Sequence, residues 1–326
     1  MSGMERRIYS TLAGVMYGDA YGMPTEGMSP GQIQTICPDG IQRFLPSIND
    51  KISTRRYEAG SVTDDTLHTL LLIDAICASG GKPDGEQYMQ YLSRWYQEDP
   101  RADEVIGPST LSAIRAFEKG KKNVSADYAV TNGCMMKIAP VGLLYEGKQT
   151  ILNAVTELCR YTHNANVALS SAAVVAYLIS SFTRERGGLK DMDNLIFEME
   201  EYSRGTGFDM PSASIVRRVE LGNEILKQKE EPADFMREVY ELIGTGIYCT
   251  ETLPAAVTII KYCQADIRKT AQMCAGMGGD TDTIASIACA ICGALGSCPS
   301  DEEILFMENQ NALSIREYVQ KIAALL

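Results

Sequence analysis

Near the start of the chain glycine recurs every fourth residue, in Gly14-Val15-Met16-Tyr17-Gly18-Asp19-Ala20-Tyr21-Gly22. In a helix this spacing puts all three glycines on one smooth face. Such a face favours close approach of another backbone, which limits the folds open to the chain. Pro24 follows and ends the helical stretch. Two later segments are crowded with small residues, ANVALSSAAVVA at 165–176 and ASIACAICGA at 285–294. Small side chains let helix axes come together, as a central buried helix requires.

Helical periodicity continues over nearly the whole sequence. Residues 4–20, 63–79, 85–98, 108–119, 149–162, 164–181, 190–203, 212–228, 233–243, 252–263, 266–275, 282–295 and 311–325 read as helices on this pattern. The breaks between them are short and carry Gly, Pro, Asn or Asp, as in Gly80-Gly81-Lys82-Pro83 and Asp99-Pro100. Residues 41–48 are the best strand candidate. There is no βαβ rhythm, no repeat and no low-complexity linker. The sequence therefore predicts one compact all-α domain over residues 1–326.

Composition narrows the partners. A net charge of −12 disfavours nucleic acid and anionic membrane. No run reads as apolar and long enough to span a bilayer, and MSGMERRIYS lacks the apolar core of a signal peptide. The ten cysteines sit mostly in apolar helical segments, which predicts buried thiols in a reducing cytoplasm and no disulfide framework. Cys289 and Cys292 form a CxxC, but in mid-helix, where packing is the better reading. Two histidines are too few for a His-rich metal site.

Two stretches carry the chemistry. Gly278-Gly279-Asp280-Thr281-Asp282-Thr283 and Ser61-Val62-Thr63-Asp64-Asp65-Thr66 both precede apolar helices, with paired carboxylates and flanking hydroxyls. Each alone reads as a helix cap, since Thr, Asp and Ser accept from free N–H groups at an acidic first turn. Adjacent Asp64 and Asp65 add a repulsion that a cap does not need. Together the stretches read as two halves of a cation-binding cluster. Glu26, after Pro24, is a third acidic element.

In order along the chain, GVMYGDAYGMPTE, SVTDDT, TNGCMMKIAPVG, YTHN, GIYCTETLPAA and GMGGDTDTIASIA resemble the ADP-ribosylglycohydrolase family. The resemblance runs from about Gly14 to Gly296. It implies an orthogonal multi-helix bundle around a central cleft with two Mg²⁺ or Mn²⁺ ions. By matching position the implied metal ligands are Thr63, Asp64, Asp65, Asp280, Asp282 and Thr283. Glu26 resembles the family's glutamate beside the metals, and Glu26 and Asp65 are the candidates for proton transfer. An all-oxygen set suits Mg²⁺ or Mn²⁺ and disfavours zinc.

The resemblance further implies substrate contacts at Thr131, Asn132, Gly133, Cys134, His163, Gly246, Tyr248 and Gly279. Lys137 stands where many members carry Arg, and keeps the charge without the bidentate fork. Packing is the competing reading for Met135, Met136, Tyr248 and His68. Asp19 reads as standing behind the ligands. The implied activity is hydrolysis at the anomeric carbon of a ribose, releasing ADP-ribose from an ADP-ribosylated acceptor. A hydrolase of a small N- or O-riboside fits the same motifs. A non-catalytic relative that binds ADP-ribose or serves structurally is a third reading. Oligomeric state is not legible.

Overall fold

The glycine face meets a helix backbone. Gly3–Gly22 runs antiparallel against Thr281–Ala294. A Cβ at Gly14 would stand 2.2 Å from the carbonyl oxygen of Cys289, and one at Gly18 2.1 Å from that of Ala285. At Gly22 the same distance, to Thr281, is 2.3 Å. Gly293 returns the contact, 2.2 Å from the carbonyl oxygen of Ser10. The two helices thus interlock at a distance that only these glycines permit.

The computed structural model describes residues 3–48, 56–228 and 231–326. Among these the regular structure is helical, with two isolated β-bridges, so the all-α expectation holds. Thr281–Ala294 is buried along its whole length, and Asn166–Thr183 at all but two positions. They contact one another at the centre, where the small-residue segments were expected.

Some expectations need correction. Residues 41–48 form no strand. They run as irregular chain, with Ser47 N donating to Tyr57 O at 3.0 Å and Ile48 N to Pro24 O at 3.3 Å. Isolated bonds of this kind pin a segment without building a ladder. Asn166–Thr183 is, by length and composition, apolar enough to cross a membrane, contrary to the sequence reading. In this fold 89% of it is buried inside the protein. The predicted 233–243 helix is α-helical only over Pro232–Glu238, then widens to a π-helical turn at Val239–Ile243 that ends at Gly244. Asp301–Asn311 escaped periodicity because its apolar residues form no stripe. Its start is marked instead by a capping box between Ser300 and Glu303.

Candidate metal centre and cleft

Both acidic stretches sit at helix starts, and neither caps its own helix through the N-cap side chain. Asp64–Ala78 begins after Thr63, and Thr281–Ala294 after Asp280, and no cap bond comes from either side chain. The Asp280 carboxylate turns instead to Asn132, whose Nδ2 donates to it and to Thr252 Oγ1 at 2.9 Å. Asp65 Oδ2 accepts from Thr283 Oγ1 at 3.3 Å, which joins the two stretches directly. Glu26 is brought in by its neighbours: Gly27 N donates to Gly279 O at 2.8 Å, and Gly279 N to Met28 O at 2.9 Å. Gly279 has φ +82, and a Cβ there would stand 2.2 Å from the carbonyl oxygen of Thr245, so this position requires glycine.

Three chain segments therefore converge. Glu26, Asp64, Asp65, Asp280, Asp282 and Thr283 line one cleft of about 220 Å³. Oxygens of Glu26, Asp280 and Asp282 lie within 4.8 Å of one another, as do those of Asp19, Asp65 and Asp282. Such groups could hold a metal ion. Asp65, Asp280 and Asp282 are buried, and the electrostatics reflect it. Burial, then Asp282, Asp19, Asp64 and Asp280, push the Asp65 carboxyl well above the carboxylate range. Burial and then Asp280 do the same to Asp282. Asp280 is raised to about 6 by burial and Glu26, against the lowering hydrogen bond from Asn132. Buried acids in mutual repulsion call for compensating positive charge. Asp65 Oδ1 is buried without a hydrogen-bond partner. A hard cation fits this orphaned oxygen and the all-oxygen donor set.

The facing wall comes from Thr131, Asn132, Gly133, Met136 and His163. His163 Nε2 pairs with Thr131 Oγ1 at 3.0 Å. A Cβ at Gly133 would stand 3.0 Å from His163 Cε1, so glycine lets the imidazole sit against the turn. Burial, then Lys137, push His163 down to about 3, which keeps the ring neutral.

Other residues named as substrate contacts face elsewhere. Cys134 is turned inward by the Asn132–Cys134 turn, and its thiol donates to Ala168 O at 3.2 Å. Gly246 N is held by Glu251 Oε2 at 2.8 Å. Gly279 serves the loop. Tyr248 is half exposed, and its neighbour Ile247 lines the cleft in its place. Thr63 does not line the cleft either; its hydroxyl lies 2.8 Å from Asp19 Oδ1 and 3.4 Å from Asp65 Oδ2. Lys137 is buried behind the wall, its Nζ 4.6 Å from the centre of the Tyr88 ring and 3.4 Å from Thr162 Oγ1. His68 packs edge-on against Trp95 at 4.8 Å.

Sequence reasoning missed the remaining wall, formed by Val105, Gly107, Pro108, Ser109 and Thr110. The signal was present: Gly107-Pro108 opens the amphipathic helix Pro108–Glu118, and proline at the first position marks a helix start.

The family described as ADP-ribosylglycohydrolase matches residues 2–299 of the chain. The protein YegU of Escherichia coli (strain K12) is 30% identical over 325 residues, covering 97% of this chain and 96% of that protein. ADP-ribosylhydrolase ARH3 of Homo sapiens is 23% identical over 321 residues, covering 88% of this chain and 85% of that protein. A solved structure described as an ADP-ribosylglycohydrolase-related protein complex has the same fold, with a TM-score of 0.67 at 21% identity over 100% of this chain and 98% of the other.

Proposed function

The chain belongs to the ADP-ribosylglycohydrolase family, and from this we propose that it hydrolyses the glycosidic bond at the anomeric carbon of a ribose, releasing ADP-ribose from an ADP-ribosylated acceptor. The observation that carries this reading is the convergence of Glu26, Asp64, Asp65, Asp280 and Asp282 in one cleft.

In this reading Thr63, Asp64, Asp65, Asp280, Asp282 and Thr283 hold two Mg²⁺ or Mn²⁺ ions. When bound, these supply Lewis acidity and lower the pKa of water. Asn132 fixes the Asp280 carboxylate. Either Glu26 or Asp65 takes the proton of the attacking water and gives it to the departing acceptor, with Glu26 the less buried of the two. The flanking carboxylates stabilise positive charge that develops on the ribose as the bond to the acceptor breaks. Thr131, Gly133 and the neutral His163 receive the sugar on the facing wall. The first turn of Pro108–Glu118 presents Ser109 and Thr110 with the positive end of a helix, which suits an anionic diphosphate.

The cleft volume favours a second reading. About 220 Å³ is below the roughly 300–1,000 Å³ of clefts that enclose drug-sized ligands. A small riboside would fit inside. ADP-ribose would extend beyond the enclosed volume.

The test is thermal stability of metal-stripped protein, first with Mn²⁺ and then with ribose or ADP-ribose, beside hydrolysis assays on an ADP-ribosylated peptide and on nucleosides. A metal-dependent rise that grows with ADP-ribose, with release from the peptide, supports the first reading. A gain from ribose alone, with nucleoside cleavage, supports the second. No response to metal overturns both.

A further inference from the structure

The two acidic helix starts share a contact with the first helix. On one side Gly22 packs against Thr281 and Asp282, and Thr281 Oγ1 donates to Gly22 O at 2.8 Å. On the other, Asp19 of the same helix reaches the start of Asp64–Ala78. Asp19 is fully buried. Its Oδ1 accepts from Thr63 Oγ1 at 2.8 Å, and its Oδ2 from Thr66 N at 3.0 Å and Thr66 Oγ1 at 2.6 Å. Thr63 N lies 3.0 Å from both oxygens.

Four donor groups thus meet one carboxylate, which offers about four lone-pair sites. Asp19 lies close enough to Asp65 and Asp282 to share a cation with them, but its acceptor capacity is already taken by the helix start. It performs the capping that the Thr63 side chain does not. It also accepts from the Thr63 hydroxyl at 2.8 Å, a shorter contact than the 3.4 Å from that hydroxyl to Asp65.

We propose that Asp19 is a positioning residue that sets the register between the two acidic stretches by capping Asp64–Ala78 from the helix that packs on Thr281–Ala294. The proposal rests on the two-cation reading above. Without the Asp19 carboxylate the Asp64–Asp65 half loses its fixed distance to the Asp280–Asp282 half, and the site loses one of its two ions.

The experiment is Mn²⁺ titration by calorimetry with electron paramagnetic resonance of the loaded protein. Wild type, Asp19→Asn and Thr66→Val are compared, with Leu158→Ala as a distant core destabilisation. The expected result is two ions with a spin-coupled signature in wild type and in Leu158→Ala. In Asp19→Asn the second ion binds at least tenfold more weakly and the coupled signature is lost. Thr66→Val, which removes one donor to Asp19, moves in the same direction and carries the test if Asp19→Asn does not fold. Unchanged affinities and an unchanged coupled spectrum in the variant that folds overturn the proposal and leave the two-cation reading intact. A wild type that binds one ion, or none, overturns the two-cation reading itself.

Discussion

At Thr63-Asp64-Asp65-Thr66 the helix start is held by hydrogen bonds to a buried carboxylate. At Asp280-Thr281-Asp282-Thr283 it is held by backbone pressed against backbone, with Gly22 on one side and Gly278 and Gly279 entering the turn. The sequences look like two copies of one device. Their supports fail in different ways: the first through loss of a polar partner, the second through any added atom. Two anchors of different kinds hold one cluster of mutually repelling carboxylates, and that cluster is a site of stored cost.

The largest effect is expected at the cluster itself. Asp282→Ala should abolish hydrolysis and the stabilisation by Mn²⁺. The same substitution should raise the melting temperature of metal-stripped protein, since it removes one buried acid from the repelling set. A calorimetric scan with and without Mn²⁺ reads both. Retained turnover, or a lower metal-free melting temperature, would mean that Asp282 is structural.

Next in size is the steric support. Gly22→Ala places a Cβ 2.3 Å from Thr281 O and 2.4 Å from Asp282 Cα, so backbone has to move. The expected loss is about 3 kcal/mol, at the upper end for overpacking, or roughly 4 °C in melting temperature for a chain of this length. Gly3→Ala is the internal control, because a Cβ there meets nothing within 4 Å. Equal melting temperatures for the two variants would break the comparison.

How much of this was legible follows from the type of force. The Gly14, Gly18, Gly22 face and the central small-residue helices were legible, because close packing needs small residues at fixed spacing and spacing is written in the sequence. Five of the six oxygen-bearing ligand candidates, all but Thr63, line one cleft for the same reason: their motifs are local. Cys134 and Tyr248 misled because a short turn decides which of two adjacent side chains faces a cleft, and Ile247 took the place given to Tyr248. The grip of Asp19 on Thr63 and Thr66 spans more than forty positions of chain and has no periodic signature. The Pro108–Thr110 wall was written as a helix start, and nothing local says which cleft a helix start faces.

The pH dependence sharpens the comparison from the electrostatic side. In metal-free protein Asp65, Asp280 and Asp282 have folded-state pKa values raised above their unfolded ones, Asp280 to about 6. A raised acid stabilises the fold below its unfolded pKa, and that stability is lost as pH rises through the folded value. His68 and His163 are pushed down to about 3 by burial, so they oppose this slope only below about pH 6.5, the ordinary histidine value. Above that the histidines no longer oppose the acids, and buried Lys137, whose pKa is lowered, is the opposing group. Metal-stripped protein should therefore lose on the order of 1 kcal/mol per pH unit for each acid still protonated. Mn²⁺-loaded protein should not, because bound cations hold the acids ionised in the fold. Parallel slopes with and without Mn²⁺ would mean that the acids do not meet the cation.

The smallest effect separates the two anchors most directly. Thr281 Oγ1 donates to Gly22 O and lies 3.2 Å from Thr25 Oγ1, and Thr25 Oγ1 in turn donates to Ala275 O at 2.7 Å. Thr281→Val keeps the shape and removes one hydroxyl. The expected cost is about 1 kcal/mol, that of a single buried hydrogen bond. Because the glycine contacts already fix the register here, Mn²⁺ affinity should stay within about twofold of wild type. Thr66→Val removes a hydroxyl of the same kind from the other half and should weaken the second ion, because there the hydrogen bonds are the register. If both valine variants bind Mn²⁺ alike, the two helix starts are held by the same means and the contrast between polar and steric support is lost.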